Sequence, residues 1–409
     1  MSREAPEREP GSAEERRAQR LEALAARALD FGWVLKILER HAATSLGVRA
    51  VRELAPREVQ EAQRALDRAR EMHELARRGG TPNLAGVGDP LPALARARRA
   101  GRALQDDDLV LLCALFSALE VLRAWLAGRR AEAPALAELA VGLPDLSALA
   151  ERIEAAVDDR GRVRDHASPL LWRLRKEESE LAAEIERKLR AYIARPEIKA
   201  VLSDPTVHRR SGRAVLVVKA KSSGRVPGIV HDRSQTGESV FIEPREVVLQ
   251  SNRHAECAAD ERREVERILL ELTRLILAEQ SAIELSAERI GELELALIAA
   301  RFALETDARV AHLPGARGAA PGLLLRSARH PLLVEEQRLG HLTQVVPIDL
   351  RLSGDFDLLI ITGPNTGGKT LALKSAGLFA LCTRMGLPFP CEQGSTCPLY
   401  DGIVADIGD

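Results

Sequence analysis

Apolar residues recur at three- and four-residue steps over most of this chain, the spacing that lines one face of a helix. Helices are predicted over 19–29, 31–42, 56–78, 92–100, 106–127 and 145–158, divided by breakers such as Gly79-Gly80-Thr81-Pro82 and the stretch from Gly86 to Pro92. A stronger stripe runs from Ser168 to Ala194, where Leu171, Leu174, Leu181, Ile185, Leu189 and Tyr192 share a face, and Pro196 ends or kinks it. The period then shortens. Val215-Leu216-Val217-Val218, Gly228-Ile229-Val230 and Ser239-Val240-Phe241-Ile242 are short β-type runs parted by Gly, Ser and Pro. From about Glu246 to Ser281 the helical stripe returns through Val265, Ile268, Leu269, Leu272, Leu275 and Ile276. Two long amphipathic helices around a β insert at about 205–245 predict an antiparallel arm with a β tip over 168–285.

A further helix is expected over 283–305, carrying Ile290, Leu293, Leu297 and Ile298, within a returning segment 286–312. The Pro/Gly-rich stretch 313–322 marks a boundary, and 323–409 is read as the start of an α/β domain. Residues 1–18 mix Pro, Gly, Glu and Arg without period and are expected to be a disordered leader before a helical core at 19–167. The expected fold class is mainly α with an α/β C-terminal part.

Composition narrows this picture. At 409 residues the chain suits two to four domains. Aromatics are only 3%, while Ala, Leu, Glu and Arg dominate, which suits long helices. A net charge of −1 gives no global attraction to nucleic acid, so any basic surface must be local. Cys113, Cys257, Cys382, Cys391 and Cys397 form no Cys-x-x-Cys pair, so free thiols in a reducing compartment are expected. Met1–Arg20 is too polar for a signal peptide, and the apolar stretch from Leu109 to Ala127 carries Glu120 and Arg123, fitting a buried helix better than a membrane span. A cytoplasmic protein without a membrane partner is the expectation. The run Asp106-Asp107-Asp108 reads as the acidic first turn of a helix.

The candidate chemistry is concentrated at 363–370. Gly363-Pro364-Asn365-Thr366-Gly367-Gly368-Lys369-Thr370 is a complete phosphate-binding loop, set after the apolar run Leu358-Leu359-Ile360-Ile361 and before Leu371-Ala372-Leu373-Lys374. That is the strand–loop–helix context the motif needs. Its glycines let backbone N–H groups wrap a phosphate at a helix N-terminus. Lys369 can reach the β/γ-phosphates of ATP, and the Thr370 hydroxyl can ligate Mg²⁺. A second, acidic strand should complete such a site. The one downstream run, Ile403-Val404-Ala405-Asp406, is short and close to the loop, so the sequence is expected to end inside its ATPase domain, with no catalytic carboxylate assigned.

A local basic patch lies in the β insert. Over 200–235, Arg209, Arg210, Arg213, Lys219, Lys221, Arg225 and Arg233 stand against only Asp204 and Asp232. Without interleaved aromatics the expected mode is contact with phosphate backbones. His231-Asp232 is read as a turn at the arm tip rather than a catalytic pair, since neighbours on a strand face opposite ways.

The loop resembles the Gly-Pro-Asn-x-Gly-Gly-Lys-Ser/Thr form of MutS-type ATPases, and with Thr366 and Thr370 it is similar to the bacterial MutS-two subfamily. Ala328-Arg329-His330-Pro331-Leu332-Leu333, Gly228-Ile229-Val230-His231-Asp232, Phe241-Ile242-Glu243-Pro244, Ala43-Thr44-Ser45-Leu46-Gly47, Leu54-Ala55-Pro56 and Ala405-Asp406-Ile407-Gly408-Asp409 agree with it, so the likeness covers nearly everything after about residue 20. It implies a helical core and lever, a clamp arm, and the first part of a P-loop ATPase domain of ABC type that forms homodimers. It places His330, Pro331 and Leu332 on the adenine side of the nucleotide, His330 otherwise being a turn that anchors the first ATPase strand. Asp406–Asp409 would belong to a switch segment. The implied partners are branched or duplex DNA, in suppression of recombination, or collided ribosomes and their RNA. No mismatch-reading domain with a Phe-x-Glu wedge precedes the core, and the Smr nuclease segment of relatives is not among these residues, so mispair recognition and nuclease chemistry are not assigned to them. Two other readings stay open. One is an SMC-like coiled-coil ATPase, disfavoured because the phosphate loop follows the helices. The other is a nucleotide- and DNA-binding module without turnover.

Overall fold

The computed structural model describes residues 13–314, 322–352, 356–364 and 368–407, with side chains from Arg20 onward in the first helix. The order of elements begins with α1 (Ala13–Ala28), α2 (Phe31–Glu39), α3 (Ser45–Arg52), α4 (Val59–Arg77), α5 (Leu91–Ala100), α6 (Asp106–Ala127), α7 (Pro134–Ala137) and α8 (Ser147–Ala156). Then come α9 (Pro169–Ile193), α10 (Pro196–Lys199), β1 (Leu202–Arg210), β2 (Arg213–Lys219), β3 (Gly228–Arg233), β4 (Ser239–Pro244) and α11 (Val248–Ala278). The last part holds α12 (Gln280–Thr306), β5 (Ala308–Arg309), β6 (Leu323–Ala328), α13 (Pro331–Arg338), β7 (Ile348–Leu352), α14 (Lys369–Arg384) and β8 (Phe389–Pro390). The protein is mainly helical with small antiparallel sheets.

Two compact units form. The first comprises Met1–Pro90, Ala114–Leu146 and Ser281–Asp409, the second Leu91–Cys113 and Ser147–Gln280. In the second unit α9 and α11 pack along each other. Leu171, Leu174, Ile185 and Leu189 of α9 are buried, as are Cys257, Ile268, Leu272 and Ile276 of α11. This is the stripe visible in the sequence, and apolar burial of that kind is the main stabilising term. Ser168 starts α9 sharply: its Oγ accepts from the Leu171 N–H at 3.0 Å, with Pro169 next in line. The β tip is a four-stranded antiparallel sheet in the order β1-β2-β4-β3. Leu216, Val218, Val240 and Ile242 point to one face and pack on Leu189, Tyr192 and Ile198. Val215, Val217 and Phe241 alternate to the other face as a separate small cluster.

In the first unit, Ile298, Phe302 and Ala303 of α12 share a core with Phe31 and Leu38 of α2 and with Leu378, Phe379 and Leu381 of α14. Phe379 and Phe389 meet edge to face at 5.4 Å between ring centres. Gly377 belongs here because a Cβ would lie 2.5 Å from Leu29 Cδ2. β5 pairs with β8 and β6 with β7, each in a two-stranded antiparallel ladder.

Several expectations change. α1 begins at Ala13, inside the segment read as a leader, and α3 and β1 were not anticipated at all. The α/β expectation for 323–409 is met only as helices with short ladders, and Leu358–Ile361 forms no strand among the described residues. Leu358 and Ile360 are each 73% exposed. A strand exists by pairing, and nothing described here pairs with that run. Ile403–Asp406 likewise forms no strand. His231 and Asp232 lie within β3 rather than in a turn, beside a register shift between Val230 and Asp232. α6 is long and apolar enough to cross a membrane, yet Leu109, Leu112, Leu115, Phe116, Leu119 and Leu122 along it are buried.

Candidate functional site: a phosphate loop and a basic β tip

The phosphate loop meets α14 at Gly368, whose φ of 79° is left-handed and suits only glycine well. Among the described residues no side chain caps this helix, so none of them supplies an acceptor for its first N–H groups. Gly363, at φ 146°, opens the turn. Lys369 donates from Nζ to the carbonyl of Gly363, the first residue of the motif. Pro364 and Thr370 are exposed, while Asn365, Thr366 and Gly367 lie outside the described residues. A helix start that no described side chain caps, an ammonium on the Gly363 carbonyl and the exposed Thr370 fit a phosphate with its Mg²⁺.

α14 is fixed from the side by a charge pair that the sequence does not reveal. Lys374 Nζ lies 2.6 Å from Asp30 Oδ2, with Asp30 in the left-handed position before α2. Close to that pair sits His330, the residue before α13 and only 4% exposed. Burial pushes its pKa down to about 4, opposed by Asp30 and reinforced by Lys374. Both ring nitrogens are buried without a hydrogen-bond partner. Pro331 is buried and Leu332 half-buried against the core of the first unit.

The register of the β tip divides the basic patch. Arg210 stands opposite Arg213, so these two and Arg209 share the hairpin end, where Ser211 and Gly212 turn at φ 49° and 77°. Lys219 stands opposite Ser239 at the far end, with Arg233 one step away opposite Val240. Lys221 and Arg225 sit on the 3₁₀ turn that follows β2. Partners differ as well. Arg213 donates to Asn252 Oδ1 at 2.8 Å, Arg210 lies 4.5 Å over the Phe241 ring, and Lys219 donates to the Ala200 carbonyl at 3.1 Å. Arg209, Lys221, Arg225 and Arg233 are exposed, with no side-chain partner among the described residues.

One buried acid on this tip escaped sequence reasoning as a charge. Glu243 is 1% exposed, accepts from His231 Nε2 at 2.6 Å and lies 3.6 Å from Arg213. Nearby, His208 Nε2 lies 2.6 Å from Asp204, whose pKa is lowered by a hydrogen bond from Thr206 and then by His208. The pattern signal for Glu243 was its place in the alternating run of β4, where an acid among inward-facing residues calls for partners.

No family model matches the chain. Curated relatives do. Endonuclease MutS2 of Pelotomaculum thermopropionicum is 38% identical over 77% of this chain and 39% of its own length. Endonuclease MutS2 of Symbiobacterium thermophilum is 35% identical over 94% of this chain and 46% of its own length. Endonuclease MutS2 of Thermomicrobium roseum is 35% identical over 94% and 48%. The chain thus spans less than half the length of these relatives. Over that span, the phosphate loop and the arm motifs stand in a sequence that belongs to the MutS2 family.

Proposed function

We propose that this chain is the arm and nucleotide-sensing part of an ATP-dependent nucleic-acid clamp. The observation that carries the reading is the start of α14, which no side chain caps among the described residues and where Lys369 bonds back to the Gly363 carbonyl. In the bound state Lys369 would hold the β/γ-phosphates, Thr370 would hold Mg²⁺, and Gly363–Gly368 would wrap the phosphates with backbone N–H groups. Bound ATP supplies charge that draws these elements together, and the residues here bind and orient it. The unpartnered nitrogens of His330 suit a polar ligand edge, so His330 with Pro331 and Leu332 is assigned to the adenine side.

The arm then grips nucleic acid through phosphates. Arg209, Arg225, Arg233 and Lys221 are exposed cations with no side-chain partner among the described residues, which is what backbone contact needs. Branched DNA is the leading partner, in line with suppression of recombination, and ribosomal RNA on collided ribosomes offers the same phosphate chemistry. Nucleotide-driven pairing of two copies would close the clamp. The test is nucleotide affinity by calorimetry for the protein and for Lys369→Ala. A loss of roughly tenfold or more is expected, from the removal of charge-assisted hydrogen bonds; equal affinity sinks the assignment.

A further inference from the structure

A polar cleft of about 490 Å³ opens in the first unit, away from the phosphate loop. It lies between the second half of α4, the turn joining α12 to β5, and the loop 392–395. Arg70, His73 and Arg77 line it from α4, and Arg309 and His312 line the opposite wall. Glu74, Asp307 and Glu392 also face it. Among the described residues each guanidinium is held only by an acid near it in sequence: Arg70 by Asp67 at 2.6 Å, Arg77 by Glu74 at 3.5 Å, Arg309 by Asp307 at 2.7 Å. Asp307 is 70% exposed, and the other two acids are well exposed, so these are surface pairs that solvent screens and a ligand can displace.

His73 is what those pairs leave unexplained. Its side chain is 13% exposed, Nδ1 lies 3.9 Å from Glu74, beyond hydrogen-bond reach, and Nε2 is buried without a partner. Burial lowers its pKa first, and the positive charge of Arg309 comes next. Arg77 adds to the lowering while Glu74 and Asp307 oppose it. The half-buried imidazole therefore shares the cleft with the Arg77 and Arg309 guanidiniums and has an unused nitrogen, and the group such a cluster calls for is an acceptor carrying negative charge.

We infer that this cleft binds a small phosphorylated molecule, one phosphoryl group accepting from Arg309, Arg77 and His73. The volume falls within the range of small-molecule sites and exceeds that of a lone phosphate. The site is separate from the phosphate loop, and the inference does not depend on what that loop holds.

The test uses Lys369→Ala protein, so that the loop does not compete, with inorganic pyrophosphate as the probe. Calorimetry should show saturable binding, and proton NMR of the His73 ring should show its pKa rising as the ligand fills the site. Arg309→Gln should weaken binding about tenfold, the scale of a lost charge-assisted hydrogen bond. Arg77→Gln, at an exposed helix position, should do the same if the first variant folds poorly. Parallel titrations with inorganic phosphate and with ATP identify the source of the phosphoryl group. Absence of saturation with all three ligands overturns the inference. So does unchanged affinity in both variants, or a His73 resonance that responds only to duplex DNA.

Discussion

Gly47 lies directly against the carboxylate of Glu294: a Cβ at residue 47 would sit 2.3 Å from Glu294 Cδ. Glu294 is fully buried and takes N–H bonds from Ala43 at 2.7 Å and Thr44 at 2.8 Å, and also the Thr44 hydroxyl. Thr44 in turn caps α3 by accepting from Gly47 N–H at 3.1 Å. The Ala43–Gly47 motif is thus the socket of a buried acid on α12, 250 residues away.

Gly47→Ala should therefore destabilise the protein by roughly 1–3 kcal/mol, since the carboxylate that must move is itself held by three donors. Glu294→Ala should cost more, because it strands those donors in the interior. Urea unfolding of both variants measures the difference; a Gly47→Ala midpoint equal to wild type would contradict the contact.

Glu264 gives a pH signature in the second unit. It is buried, accepts from Ser168 Oγ at 2.7 Å and from Arg267 at 2.8 and 2.9 Å, and its pKa is lowered to about 2, chiefly by Arg267. A depressed folded-state pKa contributes stability that is full above the ordinary value near 4.5 and is lost as pH falls towards 2. The contribution is at most about 3 kcal/mol and smaller in practice, because the Arg267 partner is half exposed. The stability gap between wild type and Glu264→Gln should narrow between pH 4.5 and 2. A gap that stays constant over that window rules the linkage out.

The thiols should be inert in the folded protein. Burial pushes Cys382 and Cys397 up to about 12, and Cys257 and Cys391 are also buried and raised. Cys113, half-buried, should alkylate first under iodoacetamide near neutral pH. Peptide mapping by mass spectrometry checks the order; fast labelling of Cys382 would refute it.

Two cations at the hairpin end of the β tip should behave differently on nucleic acid. Charge reversal at Arg209 removes an unpartnered cation, whereas reversal at Arg213 also breaks its bond to Asn252 and places an acid beside Glu243. Arg209→Glu should weaken duplex binding and lower the salt slope by about one while leaving the melting temperature unchanged. Arg213→Glu should lower the melting temperature as well. Equal melting losses in the two would mean that Arg209 is structural.

Long helices were legible because their stripes are repeated many times: α9, α11 and α12 lie within a few residues of where their apolar spacing puts them. α3 was not, because Gly47 and a short run look like loop until Thr44 and Glu294 are seen to hold it. β1 was hidden by Asp204, Thr206, His208 and two arginines, the polar composition of an exposed sheet edge. The phosphate loop was legible as a motif, since its glycines and Lys369 are contiguous.

The sequence alone determined the two long helices α9 and α11, the β insert between them, the phosphate-loop motif and the family, all of which rest on local period or adjacent residues. Only the tertiary structure decided which charges meet. Strand register sent Arg210 and Lys219 to opposite ends of one sheet, and folding brought Asp30 to Lys374, Glu294 to Thr44 and Arg309 to His73. Such pairings depend on residues far apart in the chain, where packing rather than spacing sets the neighbours.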